Sequence, residues 1–342
     1  MATRRPVPAR RLSAVVDWLV VTLRPRSAFG TPLKGDTLFG QLCWAIRHRW
    51  GEGRLAELLE GYTAGRPFLV ASDAFPAGFL PRPELPPPPV APKDRKKLKK
   101  GRYLAARVFR GPLPRQPLEV DVASDPFESA PQPHNSISRL TGTTRSGSDP
   151  FQMERRWPFR WVEGEKAREK PKRSADVRLD VHLVVDPSRF ARGELETALT
   201  DVGGWGFGRD ASIGLGRFAI EAVAEGRPAG AATPDAFLAL APSSHAVGAL
   251  DEARSHFRPF VRFGRHGADA AVSGNAFKRP VLLMDTGAVL CPREFRPETM
   301  FLGRGLGGDG SLSSVVPGTV HQGYAPVVPI VAGWADAGRC AA

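Results

Sequence analysis

The residue types that best fit a binding chemistry lie in residues 203–218, which read GGWGFGRDASIGLGRF and include six glycines. Glycine lets a backbone approach a sugar-phosphate chain closely and present successive N–H groups, while arginine adds charge and an aromatic ring adds a stacking face. We therefore predict a nucleic-acid contact here, although glycine also marks loops that bind nothing. The candidate residues in this loop are Gly204, Trp205, Gly206, Gly208, Arg209, Ser212, Gly214, Gly216 and Arg217.

Two nucleotide-binding motifs are excluded by the surrounding pattern. Residues 206–211 match G-x-G-x-x-A, but that fingerprint needs a strand before it and a helix after it. Here a predicted helix precedes the match and a predicted strand follows it. No G-x-x-x-x-G-K-[ST] occurs either, so the sequence has no P-loop.

A second group of polar residues follows His134 and supplies side chains that can read base edges and 2′-hydroxyl groups. These residues are Asn135, Ser136, Arg139, Thr141 and Arg145. The same segment also fits a turn in which Asn135 and Ser136 bond to their own backbone. Both interpretations agree with the residue types.

The overall charge favours a polyanionic partner. The 342 residues include 48 Lys and Arg against 35 Asp and Glu, a formal net charge of +13, and most of the 48 are arginine. Arginine presents a planar fork that suits phosphate and stacks on bases. Much of the charge lies in two tracts, residues 93–115 and 155–178, which we interpret as part of a long insertion between strands rather than as core.

Several other classes of protein are not supported. Cys43, Cys291 and Cys340 fall at unrelated spacings, so we predict neither a disulfide framework nor a zinc site, and we expect no cofactor. No stretch approaches the roughly 18 uninterrupted apolar residues that a membrane span needs. We expect a soluble, cytoplasmic protein without a membrane partner.

The elements that must position the candidate residues follow from hydrophobic periodicity. Strands are predicted at residues 12–24, 67–72, 177–185 and 217–223, and helices at residues 36–50, 55–61 and 195–202. Asp36 or Thr37 is expected to cap the first helix, Gly51 to close it and Gly203 to end the last helix. Residues 177–185 alternate apolar and polar types, which predicts a half-buried strand.

The order of these elements predicts an α+β fold built on a β-α-β-β-α-β, ferredoxin-like (RRM-like) unit. We place a basic N-terminal arm at residues 1–11 and this domain at residues 12–228, with the insertion at about residues 80–175. A second, degenerate ferredoxin-like domain is predicted at residues 233–342. Its strand candidates are residues 236–240, 257–263, 281–283, 288–290 and 327–331.

Four segments resemble the RAMP proteins of CRISPR effector complexes. A glycine-rich loop that runs into G-L-G-R-F between the last helix and the last strand of such a unit is similar to the RAMP signature. Three more resemble the family of the fourth subunit of type III-A (Csm) complexes: FGTPLKGDTLFGQLCWAI at 29–46, HNSISRLTGTT at 134–144 and VHQGYAPVVPI at 320–330. The chain departs from that family at Gly35, where a serine is expected in many relatives, which makes a side-chain role there doubtful.

This resemblance implies a non-catalytic RNA-binding subunit that binds and caps the 5′ tag of crRNA in antiviral defence. The family docks onto the large polymerase-like signature subunit and meets a backbone RAMP subunit, so the implied setting is a hetero-oligomeric ribonucleoprotein. The implied tag site comprises Lys34, residues 135–139 and residues 204–217. The lysine run at 93–100 is then either a thumb along the RNA or a solvated loop.

The main alternative is a metal-independent RAMP endoribonuclease that processes precursor crRNA. Such an enzyme needs a general base within hydrogen-bonding distance of the 2′-hydroxyl group. His48, His134 and His321, the last with Tyr324 nearby in sequence, are the candidates. A third interpretation is a basic RNA chaperone whose binding ignores sequence and weakens steeply with salt.

Overall fold

The computed structural model describes most of the chain, with gaps. The described residues are 16–86, 101–113, 122–135, 137–144, 150–158, 160–162, 172–174, 177–267, 270 and 276–332. The predicted arm at residues 1–11, the lysine run at 93–100, Ser136 and Arg145 lie outside these ranges.

The chain contains two α-helices and seventeen strands within the described ranges. The helices are α1 (Gly35–Leu59) and α2 (Arg192–Trp205). The strands of the first half are β1 (Asp17–Pro25), β2 (Leu69–Pro76), β3 (Phe79–Pro81), β4 (Tyr103–Ala105), β5 (Val122–Ala123), β6 (Glu128–His134), β7 (Phe151–Trp157), β8 (Arg160–Val162), β9 (Lys172–Ser174), β10 (Leu179–Val185) and β11 (Phe218–Glu225). The strands of the second half are β12 (Ala236–Ala239), β13 (Pro259–Arg262), β14 (Val281–Met284), β15 (Val289–Leu290), β16 (Phe301–Gly307) and β17 (Val320–Ile330).

Four strands of the first half form an antiparallel sheet in the order β11-β1-β10-β2. Helix α1 connects β1 to β2 and helix α2 connects β10 to β11, so the chain order of strands and helices is the one that we predict. Alternate apolar residues of β1, among them Val21 and Leu23, are fully buried. The apolar stripes of the two helices, which include Leu38 and Leu199, are buried in the same core.

Helix α1 is bent where we predict that it closes. Gly51 adopts φ 89°, a left-handed value that favours glycine, and the second helical segment follows it directly. The capping prediction is wrong, because the N-cap is Lys34, whose side chain makes no capping bond, and the Gly35 amide donates instead to Asp73 Oδ1 at 2.8 Å. Gly35 packs directly against the carbonyl of Ala71 in β2, so no side chain fits at this position.

Strand β10 is buried on both faces, so the prediction of a half-buried strand is wrong. His182 and Val184, which alternate with its core-facing residues, are as buried as the residues on the other face. The indole of Trp18 donates to His182 Nδ1 at 3.3 Å, and the hydroxyl of Ser72 accepts from the His182 amide at 2.8 Å. Burial lowers the pKa of His182 to about 4.

Helix α2 continues past the residue where we predict its end. Gly203 is helical and buried, and the helix ends at Trp205. Gly206 then turns the chain at φ 101°, and its amide donates to the carbonyl of Val202 at 2.9 Å. The loop therefore starts three residues later than the predicted segment 203–218. Gly203 packs against Phe218 with no space for a side chain.

The second half is built on an antiparallel sheet in the order β15-β12-β17-β16 and a separate ribbon of β13 and β14. No α-helix occurs among its described residues, so the second ferredoxin-like domain stays a prediction. Strand β16 is not predicted from the sequence, because its three glycines lower the strand signal. The structure explains one of them, since Gly303 lies directly against the Gly323 carbonyl. Strand β17 begins seven residues before the predicted start at residue 327.

The two halves share one hydrophobic core, to which Leu38 of α1 and Val328 of β17 both belong. The buried side-chain amide of Gln322 extends the contact, because it accepts from the Ala71 amide at 2.9 Å and donates to the Ala71 carbonyl at 2.7 Å. Tyr324 donates to the carbonyl of Tyr62 at 2.7 Å. Within the described ranges, neither helix has the length and apolar character that a bilayer crossing requires.

The predicted insertion carries short antiparallel pairs outside the main sheet. Strands β3, β4 and β5 form one small sheet, β6 pairs with β7, and β8 pairs with β9. The β6–β7 ribbon is tied to the segment after β1 by two backbone hydrogen bonds between Phe29 and Arg156, of 2.8 and 2.9 Å. The guanidinium of Arg156 holds Asp125 at 2.8 Å and lies over the ring of Phe127.

Candidate nucleic-acid interface

The base of the glycine-rich loop is fastened to the segment that leaves β1. The amide of Gly216 donates to the Ala28 carbonyl at 2.7 Å, and the Arg209 amide donates to the Thr31 hydroxyl at 2.8 Å. Phe207 is fully buried beneath the loop. These contacts fasten the base of the loop to the segment that follows β1.

Three glycines of the loop serve this packing. Gly216 adopts φ 73°, and a side chain there would collide with the carbonyl of Phe207. Gly208 adopts φ 77° against Thr31, and Gly206 lies against the carbonyl of Leu215. Their lack of side chains therefore makes room for the Phe207 and Leu215 carbonyls and for the Thr31 side chain of the protein itself. That these glycines also contact a nucleic acid stays a prediction.

The tip of the loop is the part that faces outward. Ser212 and Ile213 are exposed, and a Cβ at Gly214 would meet nothing within 4 Å. Asp210 adopts φ 65°, and the amides of Asp210, Ala211 and Ser212 have no hydrogen-bond partner in the described part of the chain. The tip thus offers backbone donors to an external group.

Three exposed arginines lie beside the loop at the end of the β1–β11 pair. The Arg26 amide, just after β1, donates to the Arg217 carbonyl at 2.7 Å. Arg24 pairs with Ala219 of β11 at the end of β1. All three side chains are exposed, and none forms a hydrogen bond or ion pair with another described residue. Sequence reasoning misses Arg24 and Arg26, although an R-x-R pair at the end of a predicted strand is a usable signal.

Arg209 has a different setting from Arg217. Its Nη2 donates to the Glu154 carbonyl of β7 at 2.6 Å, and its Nε lies 3.2 Å from Asp210 Oδ2. The side chain is 36% exposed. Arg209 therefore connects the loop to the β6–β7 ribbon and presents only part of its guanidinium to solvent.

Gly204 and Trp205 lie on α2, outside the loop. The Trp205 side chain is 49% exposed and meets His48 of α1 edge to face, with ring centroids 5.8 Å apart. The His48 ring is 5.9 Å from that of Trp44, over which Arg47 lies. Trp205 belongs to an aromatic group on the two helices.

The segment after β6 forms a small turn rather than a cluster with the loop. The Asn135 side chain donates to the Thr144 hydroxyl at 2.9 Å, and the Thr141 and Thr143 hydroxyls are 2.9 Å apart. These bonds close a turn, but the Asn135 side chain bonds to another side chain rather than to its own backbone, and Ser136 lies outside the described residues. Arg139 is exposed at the same turn.

Lys34 is engaged within the protein. Its Nζ lies 2.8 Å from Asp73 Oδ2 and 2.9 Å from Asp285 Oδ1, and 3.3 Å from the Thr286 hydroxyl. Burial alone would lower the pKa of Lys34, but the two carboxylates hold it above its ordinary value. The ammonium thus links Asp73 of the first half to Asp285 of the second half and is not a free cationic site.

Asp36, two residues after Lys34 in the first turn of α1, forms a second ionic cluster. Its carboxylate is fully buried, accepts two hydrogen bonds from Arg262 at 2.7 and 3.1 Å, and lies 3.4 Å from His321 Nε2. Burial would raise the pKa of Asp36, yet His321 and Arg262 lower it to about 2. His321, one of the candidate general bases, is therefore buried beside this carboxylate.

The remaining nuclease candidates are dispersed. The ring of His134 stacks on Phe151 with centroids 5.3 Å apart, and His48 lies on α1. Tyr324 is buried and its hydroxyl donates to a backbone carbonyl. Among the described residues no group of three or more His, Cys, Asp or Glu could hold a metal ion.

Comparisons with known proteins show similarity of fold. No protein-family model and no curated protein matches the sequence. A chain in the crystal structure of a Csm1-Csm4 cassette in complex with pppApA is similar at 17% identity and a TM-score of 0.55, covering 92% of this chain and 98% of that one. The cassette in complex with cA4 gives 16% identity, a TM-score of 0.52 and the same coverage.

A third structure, the Csm3-Csm4 subcomplex of a type III-A CRISPR-Cas interference complex, gives 12% identity and a TM-score of 0.54. The similarity covers 92% of this chain and 99% of that chain. Csm4 is the component common to the cassettes and the subcomplex. The resemblance drawn from the sequence is therefore confirmed at the level of the fold.

Proposed function

We propose that this chain is the Csm4-type subunit of a type III CRISPR ribonucleoprotein and binds the 5′ tag of crRNA without cleaving it. The support is the fold shared with chains of Csm1-Csm4 and Csm3-Csm4 assemblies, together with one site on the surface. That site, the tag surface, consists of residues 209–214 and the side chains of Arg24, Arg26 and Arg217.

The observation that carries this proposal is the absence of acidic partners for the three arginines, among the described residues, next to an exposed loop tip. Elsewhere on the surface, arginines such as Arg49 and Arg192 are paired with carboxylates. Single-stranded RNA held in one register needs phosphate contacts from arginine and from backbone N–H groups. The tag surface offers both within one short stretch.

The architecture and the partners of the proposal follow from the same comparison. We propose that the β11-β1-β10-β2 sheet with α1 and α2 is a ferredoxin-like RAMP domain and that the second sheet is its degenerate counterpart. Csm1 and Csm3 are the proteins found with Csm4 in the similar structures. We therefore propose that this subunit bridges the large signature subunit and the backbone RAMP subunit in antiviral defence.

The test is a competition between two RNAs of equal length, one with the repeat-derived tag at its 5′ end and one with that tag scrambled. We expect the tagged RNA to bind at least tenfold more tightly to the full chain or to the reconstituted complex. Equal affinity across a range of salt concentrations would contradict the proposal and would favour a basic RNA chaperone.

The endoribonuclease alternative has less support from the geometry. His321 lies against Asp36, and the Tyr324 hydroxyl has a backbone acceptor in the core. We expect no cleavage of repeat RNA in EDTA by the wild-type chain. Cleavage that disappears in His134→Ala would contradict the non-catalytic role.

A further inference from the structure

We propose that the outer face of the β13–β14 ribbon is a docking surface for a protein partner that presents an apolar strip with an acidic rim. The ribbon is a separate two-stranded sheet in the second half of the molecule, well away in sequence from the tag surface. Two-stranded ribbons are marginal on their own and gain stability from what packs on their faces.

One face of the ribbon is already used inside the molecule. Arg262 reaches from it to the buried carboxylate of Asp36, and its guanidinium lies 5.0 Å from the centre of the Phe260 ring. Leu283 of the facing strand is buried in the interior. These contacts fix the inner face against α1 and leave the opposite face outward.

The outer face is apolar along its length. Val261 pairs directly across the ribbon with Leu282, and the two side chains are 48% and 66% exposed. Phe263 and Phe277 are also exposed large apolar residues, at the open end of the ribbon. Contiguous exposed apolar side chains rimmed by polar ones are typical of interaction sites.

The charge around this face defines the partner. Residues 256–284 contain five basic residues and one acidic residue, Asp269. Arg262 points inward and Arg258 is paired with Glu84 and Asp285, whereas Arg265 and Arg279 are exposed. An apolar centre with an arginine-containing rim complements a surface that is apolar at its centre and acidic at its edge.

The central residues favour a protein over a nucleic acid. Valine and leucine have no ring on which a base could stack, and the Val261–Leu282 pair lies in the middle of the face. The rings of Phe263 and Phe277 lie at one end. An RNA platform would need aromatic residues along the path of the strand.

The experiment mixes the full chain separately with the purified Csm1-type and Csm3-type proteins of the same locus, and this choice of probes rests on the proposed function. Val261→Glu places a carboxylate in the apolar centre, and Val247→Glu, at a fully exposed valine outside the ribbon, is the control. We expect Val261→Glu to lower the affinity for one of the two proteins by at least about 30-fold, as loss of a hot spot does.

Phe263→Ser gives a second, milder test at a side chain that is 72% exposed, where misfolding is not expected. It should lower the same affinity, and Arg279→Glu should lower it most at low salt. The inference is overturned if the wild-type chain binds neither protein, or if Val261→Glu binds both as tightly as Val247→Glu. Loss of RNA affinity in place of protein affinity would assign the face to nucleic acid and would also overturn it.

The affinity for tagged RNA, measured on the same samples, separates this inference from the proposed function. We expect Val261→Glu and Phe263→Ser to bind tagged RNA within twofold of the wild type. Absence of tag preference in the wild-type chain counts against the proposed function, whereas unchanged protein binding in the variants counts against the docking surface alone.

Discussion

Two basic regions of the first half, close together in sequence, have opposite electrostatic settings. At the start of α1, Lys34 is held by two carboxylates and the neighbouring Asp36 is buried against Arg262. At the end of β1, Arg24 and Arg26 lie exposed and meet no carboxylate in the described part of the chain. The difference teaches that a basic residue marks a binding surface only where the fold leaves its charge uncompensated.

The largest expected effect comes from breaking the ion pair of Asp36 and Arg262 at the start of α1. Asp36→Ala leaves the Arg262 guanidinium, 24% exposed, without its buried partner, and loss of one member of a buried ion pair costs about 3–5 kcal/mol. We expect a loss of about 4 kcal/mol in the free energy of unfolding, measured by urea denaturation. Glu252→Ala, at an exposed acidic residue, should change stability by less than about 0.5 kcal/mol. Equal effects of the two substitutions would show that the cluster does not stabilise the fold.

The second effect separates the base of the glycine-rich loop from its tip. Gly216 and Gly214 both have positive φ, but only Gly216 is crowded by Phe207. We expect Gly216→Ala to destabilise the protein by about 3 kcal/mol, from left-handed strain plus overpacking, and Gly214→Ala by about 1 kcal/mol. Thermal and urea unfolding of both variants would measure the difference. Similar losses would contradict the division of the loop into a packed base and an open tip.

A third effect is the pH dependence that Asp36 gives to the free energy of unfolding. Its pKa is about 2 in the folded chain against 3.8 for the ordinary group, so its stabilisation is complete above pH 3.8 and is lost as the pH falls through about 2. We expect wild-type stability to fall by about 2 kcal/mol more than that of Asp36→Asn between pH 5 and pH 2. Parallel curves for the two proteins would contradict the depressed pKa.

The smallest effect concerns the arginines of the tag surface and changes RNA affinity rather than stability. Replacing Arg24, Arg26 and Arg217 together with alanine should lower RNA affinity roughly tenfold and reduce the slope of log affinity against log salt by about 2, at ~0.7 per phosphate contact. The matched control replaces Arg49, Arg178 and Arg192, each paired with a carboxylate, and removes the same charge. If both triple variants lose affinity equally, net charge and not the tag surface governs binding.

Local periodicity predicts the first half well, and long-range pairing explains most of what it misses. The valine-rich run within residues 12–24 and the stripe that contains Leu195 and Leu199 are visible in the sequence. The structure forms β1 and α2 there, with Val21, Leu195 and Leu199 fully buried. Strand β16 is hidden because its glycines lower the strand signal, and only the neighbouring β17 explains them.

The site is predicted less completely than the fold. The glycine-rich segment and Arg217 are evident from residue types. Whether Lys34 is free to bind a ligand depends on its ion pairs with Asp73 and Asp285, which are distant along the chain. Arg26 gains its place beside Arg217 only through the β1–β11 register. Such pairings carry no local pattern, because the fold alone brings the residues together.

The most direct measurement is photo-crosslinking of a crRNA whose 5′ tag carries 4-thiouridine, bound to the reconstituted complex, followed by mass spectrometry of this chain. We predict crosslinked peptides from residues 24–31 and 206–217, with none from the β13–β14 ribbon. Crosslinks that map to the ribbon, or that occur equally with a scrambled tag, would contradict the assignment of the tag surface.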